Sequence, residues 1–157
     1  MADPIRTPHP HNGSVGVVLP DRPGALAHYP HLRRVGDLVF VSGLSSRRPD
    51  QSHDGVTHHP DGTVERDIAA QTQACIQNLG ILLAAEGGDL RHVVDLTTFL
   101  VSMRDFAAYN AVYNCHFDAA TGPTRTTVAV AELPHPDLLI ELKAVACIPR
   151  PSQEPSP

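Results

Sequence analysis

Gly122-Pro123-Thr124-Arg125-Thr126-Thr127-Val128-Ala129-Val130-Ala131 reads as a turn that opens into a strand. The Gly-Pro pair punctuates the chain, and the β-branched run behind it favours extended backbone. Alternation sends Thr126, Val128 and Val130 to one face and Arg125, Thr127, Ala129 and Ala131 to the other. The first face is apolar and is expected to pack. The second carries one arginine among small residues, where its planar fork has room to hold a carboxylate through two parallel hydrogen bonds. The competing reading is an ion pair between Arg125 and an acidic side chain of the same chain.

Working outward, Leu138–Cys147 is a second strand whose even positions are apolar as far as Ile148, leaving Glu141 and Lys143 on the opposite face. Leu133-Pro134-His135-Pro136 is expected to be a tight connection between two antiparallel neighbours. On that arrangement Arg125 and Glu141 project from the same side of one sheet. The plainer reading of Glu141 is a salt bridge with Lys143 or Arg125.

Towards the N-terminus, Val15–Leu19 fits an edge strand, and Leu32–Val35 with Leu38–Ser42 fits a hairpin turning at Gly36-Asp37. Ser45 to Arg66 is a long polar connection, of a length usually tied to function. Asp67 is placed to cap a helix running to about Glu86, with Ile68, Ile76, Leu79, Leu82 and Leu83 in one stripe. Val93–Val101 is another strand. Ser102 and Asp105 resemble a capping box opening a second helix to about Asp118.

The predicted order is strands, helix, strand, helix, two strands, an α+β fold with a mixed β-sheet and two helices on one face. Yet Leu38-Val39-Phe40-Val41 and Val93–Val101 are apolar on both faces. A strand of that kind must be covered on both sides, and two helices cover one. The missing cover is expected to be another copy of the chain. One domain spans residues 13–148, with Pro-rich polar tails at 1–12 and 149–157 expected to be mobile.

The formal charge of −5 over 157 residues argues against general affinity for nucleic acid or anionic membrane. No apolar run approaches the ~20 residues of a membrane span, and the N-terminus lacks a signal-peptide pattern, so a cytoplasmic protein is expected. The 3 cysteines, Cys75, Cys115 and Cys147, are far apart and read as reduced, buried thiols. The 10 histidines lack metal-site spacing, so no metal is expected, and without a Gly-rich phosphate loop no nucleotide cofactor is expected either.

Thr-Arg-Thr-Thr-Val-Ala-Val-Ala-Glu-Leu-Pro at 124–134 and Ile-Glu-Leu-Lys-Ala-Val-Ala at 140–146 resemble the C-terminal signature of the Rid family, the YjgF-like reactive intermediate deaminases. The resemblance extends to Tyr29, to Val39-Phe40-Val41-Ser42-Gly43 and to Asp105–Asn110, and so spans roughly residues 25–148. Within the family, the Thr-Gly-Pro-Thr-Arg-Thr-Thr-Val-Ala-Val, Leu-Pro-His-Pro and Ser45-Ser46-Arg47-Arg48-Pro49-Asp50 segments are most similar to the 2-aminomuconate deaminase branch. The resemblance implies a chorismate-mutase-like fold, a trimeric barrel-like assembly and ligand clefts between adjacent subunits.

It also implies roles. Arg125 falls on the arginine that binds the substrate carboxylate, and Glu141 on the acid that positions water. Tyr29, Ser42, Gly43 and Asn110 fall on cleft-lining positions. Thr127 stands where many relatives have cysteine, a departure that touches thiol-dependent properties but not hydrolysis. The implied activity is cofactor-independent hydrolysis of 2-aminomuconate to 4-oxalocrotonate and ammonia, within bacterial degradation of an aminophenol or of 3-hydroxyanthranilate. A broad enamine/imine deaminase and a non-catalytic metabolite-binding protein remain as alternatives. Because 2-aminomuconate carries a carboxylate at each end, the distal one needs its own cation. Arg47 or Arg48 is the expected residue, and His135 a further candidate.

Overall fold

The computed structural model describes residues 2–150. Nine strands and two α-helices follow one another as β1 (Ile5–Pro8), β2 (Val15–Val18), β3 (Leu32–Val35), β4 (Leu38–Leu44), β5 (Val56–His58), β6 (Val64–Arg66), α1 (Ile68–Ala84), β7 (Val93–Leu100), α2 (Phe106–Tyr113), β8 (Thr124–Ala129) and β9 (Ile140–Cys147). Seven strands form one mixed sheet in the order β1-β2-β3-β4-β9-β7-β8, and β5 and β6 form a separate hairpin within the 45–66 excursion.

Local chemistry accounts for the elements. Gly36, at φ +58°, takes the left-handed conformation that turns β3 into β4. The Asp67 carboxylate accepts from the amides of Ala69 and Ala70 and starts α1. Cys75, Ile76, Leu79, Leu82 and Leu83 then sit on one buried stripe against β4 and β9. The sheet supplies Val39, Val41, Leu96, Leu100, Ile140, Leu142, Ala144 and Ala146 to the same core. No described helix is long and apolar enough to cross a membrane.

Several expectations need correction. Ile5–Pro8, expected in a tail, pairs antiparallel with β2, so β2 is not the edge; residues 151–157 of the C-terminal tail lie outside the described residues. The pairing is locked from the side, since Arg6 bonds to Glu86 and to the Ala85 carbonyl at the end of α1. Ser102 caps a 3₁₀ turn at Met103–Asp105 rather than α2 itself. α2 ends at Tyr113, where the amides of Cys115 and His116 shift to partners three residues back. Cys115 is exposed, whereas Cys75 is buried.

The largest correction concerns the last two strands. β8 and β9 are not neighbours, because β7 lies between them, parallel to β8 and antiparallel to β9. A parallel pair needs a crossover, and α2 provides it between β7 and β8. The Leu133–Pro136 segment is therefore part of a longer path that carries the chain past β7.

The helices cover one sheet face only. The other is bare in the single chain, and its apolar side chains stay accessible: Val35, Leu38, Phe40 and Val128 are each about 40% exposed. Val128 lies on the face of β8 that was expected to pack, yet among the described residues it stays exposed.

Candidate functional site

A cleft of about 1000 Å³ opens on the bare side of the sheet. Its floor comes from β4 and β9. Past Val41 the β4–β9 register shifts, and Ser42-Gly43 leaves the regular ladder at this point. The Ser42 amide donates to the His31 carbonyl and its hydroxyl donates to the Pro30 carbonyl (2.8 Å), which fastens the segment carrying Tyr29 against β4. Tyr29, Ser42, Gly43 and Glu141 all line the cleft.

Glu141 occupies the floor. Among the described residues no cation lies within salt-bridge distance of it, so the ion pair with Lys143 or Arg125 does not form. Burial raises its pKa above the ordinary carboxylate value, with no neighbouring charge to oppose the shift. Gly43 makes the placement possible: a Cβ there would collide with the Glu141 carboxylate. An acid that is half-buried, unpaired and raised in pKa is better suited than an ordinary carboxylate to taking and returning a proton.

Arg125 lies elsewhere. On β7, Arg125 is level with Leu96 and Glu141 is level with Phe99, positions of opposite parity. The two side chains therefore leave opposite faces of the sheet, not the same face as expected. Within one chain they do not meet. The guanidinium of Arg125 stacks on α2, with Cζ 4.5 Å from the Tyr113 ring centroid, 5.4 Å from Tyr109 and 5.9 Å from Phe106. It donates to Asn110 Oδ1 at 2.8 Å. No described carboxylate pairs with it, so the internal ion pair is not realised here either.

The support beneath Arg125 is buried and hydrogen-bonded. Tyr109 is fully buried, and its hydroxyl shares a 2.7 Å hydrogen bond with Thr98 Oγ1. Burial raises the Tyr113 phenol, partly offset by the Arg125 cation above it. Thr127, two residues along the same face, has a buried hydroxyl without a hydrogen-bond partner among the described residues.

Of the basic candidates for a second carboxylate, Arg48 pairs with Asp54 and does not line the cleft. Arg47 does line it, tied by one nitrogen to the Gly24 carbonyl (2.5 Å) and by another to Gln51 Oε1 (3.2 Å). His135 lines it as well, with its ring 4.4 Å from that of His53. Sequence reasoning missed His53, Arg33 and the aromatic bed of Arg125. His53 sits in a polar loop with no periodicity to mark it, and its backbone bridge to Arg47 helps bring it to the cleft. Among the described residues, no group of three or more His, Cys, Asp or Glu is arranged to hold a metal ion.

Comparison with known proteins adds an independent line. The family model described as Endoribonuclease L-PSP matches residues 19–148. The Escherichia coli K12 protein TdcF, provisionally named a reactive intermediate deaminase, is 32% identical over 126 residues, 79% of this chain and 89% of its own length. Protein HMF1 of Saccharomyces cerevisiae is 34% identical over 130 residues, 83% of this chain and 92% of its own length. Among solved structures, yeast YEO7 superposes with a TM-score of 0.73 at 32% identity, covering 86% of this chain and 98% of that one. Escherichia coli TdcF with bound serine gives 0.66 at 29% identity, covering 81% and 93%.

Proposed function

This chain belongs to the L-PSP family, the Rid or YjgF-like proteins, and we propose that it hydrolyses the enamine/imine of 2-aminomuconate to 4-oxalocrotonate and ammonia. The observation that carries the reading is Glu141: an unpaired carboxylate with raised pKa, seated against Gly43 on the floor of an open cleft. A 2-amino-unsaturated acid tautomerises from enamine to imine. Water then adds to the imine carbon, a C–O bond forms, and the resulting carbinolamine expels ammonia as the C–N bond breaks. Glu141 accepts a proton from the attacking water and passes it to the imine nitrogen, then relays the carbinolamine hydroxyl proton to the same nitrogen as the C=O bond forms and ammonia leaves. Neither step changes oxidation state, and no cofactor is called upon.

Arg125 holds the carboxylate next to the reacting carbon and so fixes where that carbon sits. Asn110 takes up one guanidinium nitrogen and the α2 rings take up its face, which leaves the fork's remaining donors for the substrate. Since Arg125 and Glu141 leave opposite faces of one sheet, a complete site is assembled from two copies. Arg125 of one copy meets Tyr29, Ser42, Gly43 and Glu141 of the next, in a trimer whose contacts cover the bare apolar face. Thr127, beside Arg125, offers its unpartnered hydroxyl in place of a thiol.

The broader reading, general hydrolysis of enamines such as 2-aminoacrylate, is favoured by the name given to TdcF. Ammonia release from freshly generated 2-aminomuconate and from 2-aminoacrylate, each corrected for uncatalysed decay, separates the two. Catalysed release from 2-aminomuconate at far higher kcat/KM supports the narrow reading, and comparable values support the broad one. Release no faster than background on both substrates would leave a metabolite-binding protein.

A further inference from the structure

We propose that Arg47, His53 and His135 form a second anion subsite in the Glu141 cleft, which takes the far carboxylate of a dicarboxylate ligand. This rests on reading the cleft as the site of a carboxylate-bearing enamine. It differs from the sequence expectation in leaving out Arg48, adding His53 and making the subsite proton-dependent.

The three residues come from two separate loops. Arg47 and His53 face one another across a backbone bridge in the 45–66 excursion, and His135 arrives from the path between β8 and β9. The imidazoles of His53 and His135 lie 4.4 Å apart at an interplanar angle of 37°. Two imidazoles in tilted contact, in a cleft corner that also holds a guanidinium, form an unusual grouping, because each proton added repels the charges already present. Burial first, and then His135, lower the pKa of His53, while Arg47 and His58 act in the same direction and Asp137 against it. Among the described residues, Asp137 is the only carboxylate that acts on His53.

The one carboxylate nearby does not serve it. Asp137 is 5% exposed and is held by Arg66 at 2.8 Å and by His58 Nε2 at 3.0 Å, with His135 Nδ1 farther away at 3.9 Å. Asp137 instead positions His135. Its backbone amide donates to His135 Nδ1 (3.2 Å), which leaves Nε2 as the ring's proton-bearing nitrogen. Behind it, Gln71 of α1 fixes the loop, donating to the Asp137 carbonyl and accepting from the Leu139 amide, each at 2.8 Å. His53 has no hydrogen-bond partner for either ring nitrogen among the described residues.

Within the same cleft the Glu141 carboxylate repels a second anion, so a ligand carrying two carboxylates is driven to orient with its far end towards the loops. The competing cations are Lys143 and Arg33, which line the sheet side. Arg33 is partly occupied, donating to Ser14 Oγ at 2.8 Å. An anion seated between Arg47 and the imidazoles accepts from the Nε2–H of His135 and favours the charged form of His53, so binding takes up a proton.

The test uses trans,trans-muconate and sorbate, which share a six-carbon diene and differ in one terminal carboxylate against a methyl. Calorimetric titration at about pH 6 and about pH 8, in buffers of different ionisation enthalpy, reads affinity and proton uptake together. The wild type is expected to prefer muconate by ~10-fold or more at the lower pH, with proton uptake for muconate only, and to lose most of that preference at the higher pH. His53→Gln, at a side chain with no hydrogen bonds to lose, should cut the preference several-fold while leaving sorbate binding unchanged. His135→Gln should do the same, and Lys143→Met should not. A preference independent of pH, one that survives both histidine substitutions, or one abolished by Lys143→Met instead would overturn the subsite. Ammonia release is scored separately: muconate preference without deamination sinks the enzyme reading alone, and deamination without muconate preference sinks the subsite alone.

Discussion

Gly43→Ala is the sharpest probe of where the acid must stand. The added Cβ would overlap Oε1 of Glu141 and lie 3.1 Å from its Cδ, closer than carbon atoms ordinarily approach. Backbone strain is not at issue, because Gly43 is not among the glycines of positive φ. The position is exposed, and glycine-to-alanine at a compatible site stabilises by roughly 0.4–1 kcal/mol through the unfolded chain. The obstacle is the end of a flexible side chain, so the protein should fold with a Tm close to the wild type. What must move is the carboxylate, by on the order of 1 Å, and a displacement of that size costs ~10²-fold in a positioned reaction. Initial rates of ammonia release, set beside a thermal melt, separate the two effects. A folded Gly43→Ala protein that turns over at the wild-type rate would refute the placement of Glu141 as the proton-transfer group.

Arg125→Ala should abolish most deamination without dissolving the fold, and Arg125→Lys should restore little, since a point charge does not reproduce the fork; steady-state kinetics on both variants check this. Glu141→Gln should lower kcat by ~10²–10⁴-fold. It should also melt at or above the wild-type temperature at neutral pH, because a carboxyl raised by burial contributes stability below its unfolded pKa and loses it as pH rises through the folded one. That stability gap should close on acidification, and the acid limb of the wild-type kcat/KM profile should lie above the usual carboxylate range. In sedimentation the protein should run as a trimer or a multiple of it, with no folded monomer at micromolar concentration, because the bare sheet face would otherwise be exposed.

Much of the fold was legible because its determinants are local. Asp67 announces α1, Gly36-Asp37 announces the β3–β4 hairpin, and Leu38-Val39-Phe40-Val41 announces a strand that needs cover on both sides. β1 was not legible. Ile5-Arg6-Thr7-Pro8 carries no period and no apolar face of its own, and it is held by pairing to β2 and by Arg6 reaching the end of α1. Such long-range contacts leave no mark in a short window. The end of α2 was misplaced for a related reason: Phe117 is buried like a helical core residue, but the chain reaches it through tight turns.

The site shows how far parity reasoning reaches. Alternation correctly separates Arg125 from Thr126 and Glu141 from Leu142, since parity within one strand is fixed by covalent geometry. Which parity of one strand shares a face with which parity of another depends on register and on what lies between them. With β7 inserted, Arg125 takes the level of Leu96 and Glu141 that of Phe99, one position out of phase. The two groups that the proposed chemistry brings together thus leave opposite sides of a single chain. The same sheet leaves apolar side chains uncovered on the face that carries Glu141. One arrangement answers both facts: a second copy laid against that face supplies the cover and an arginine together. On this view the bare face and the divided site have a single cause, and a variant that dissolves the assembly should lose activity even with Arg125 and Glu141 both intact.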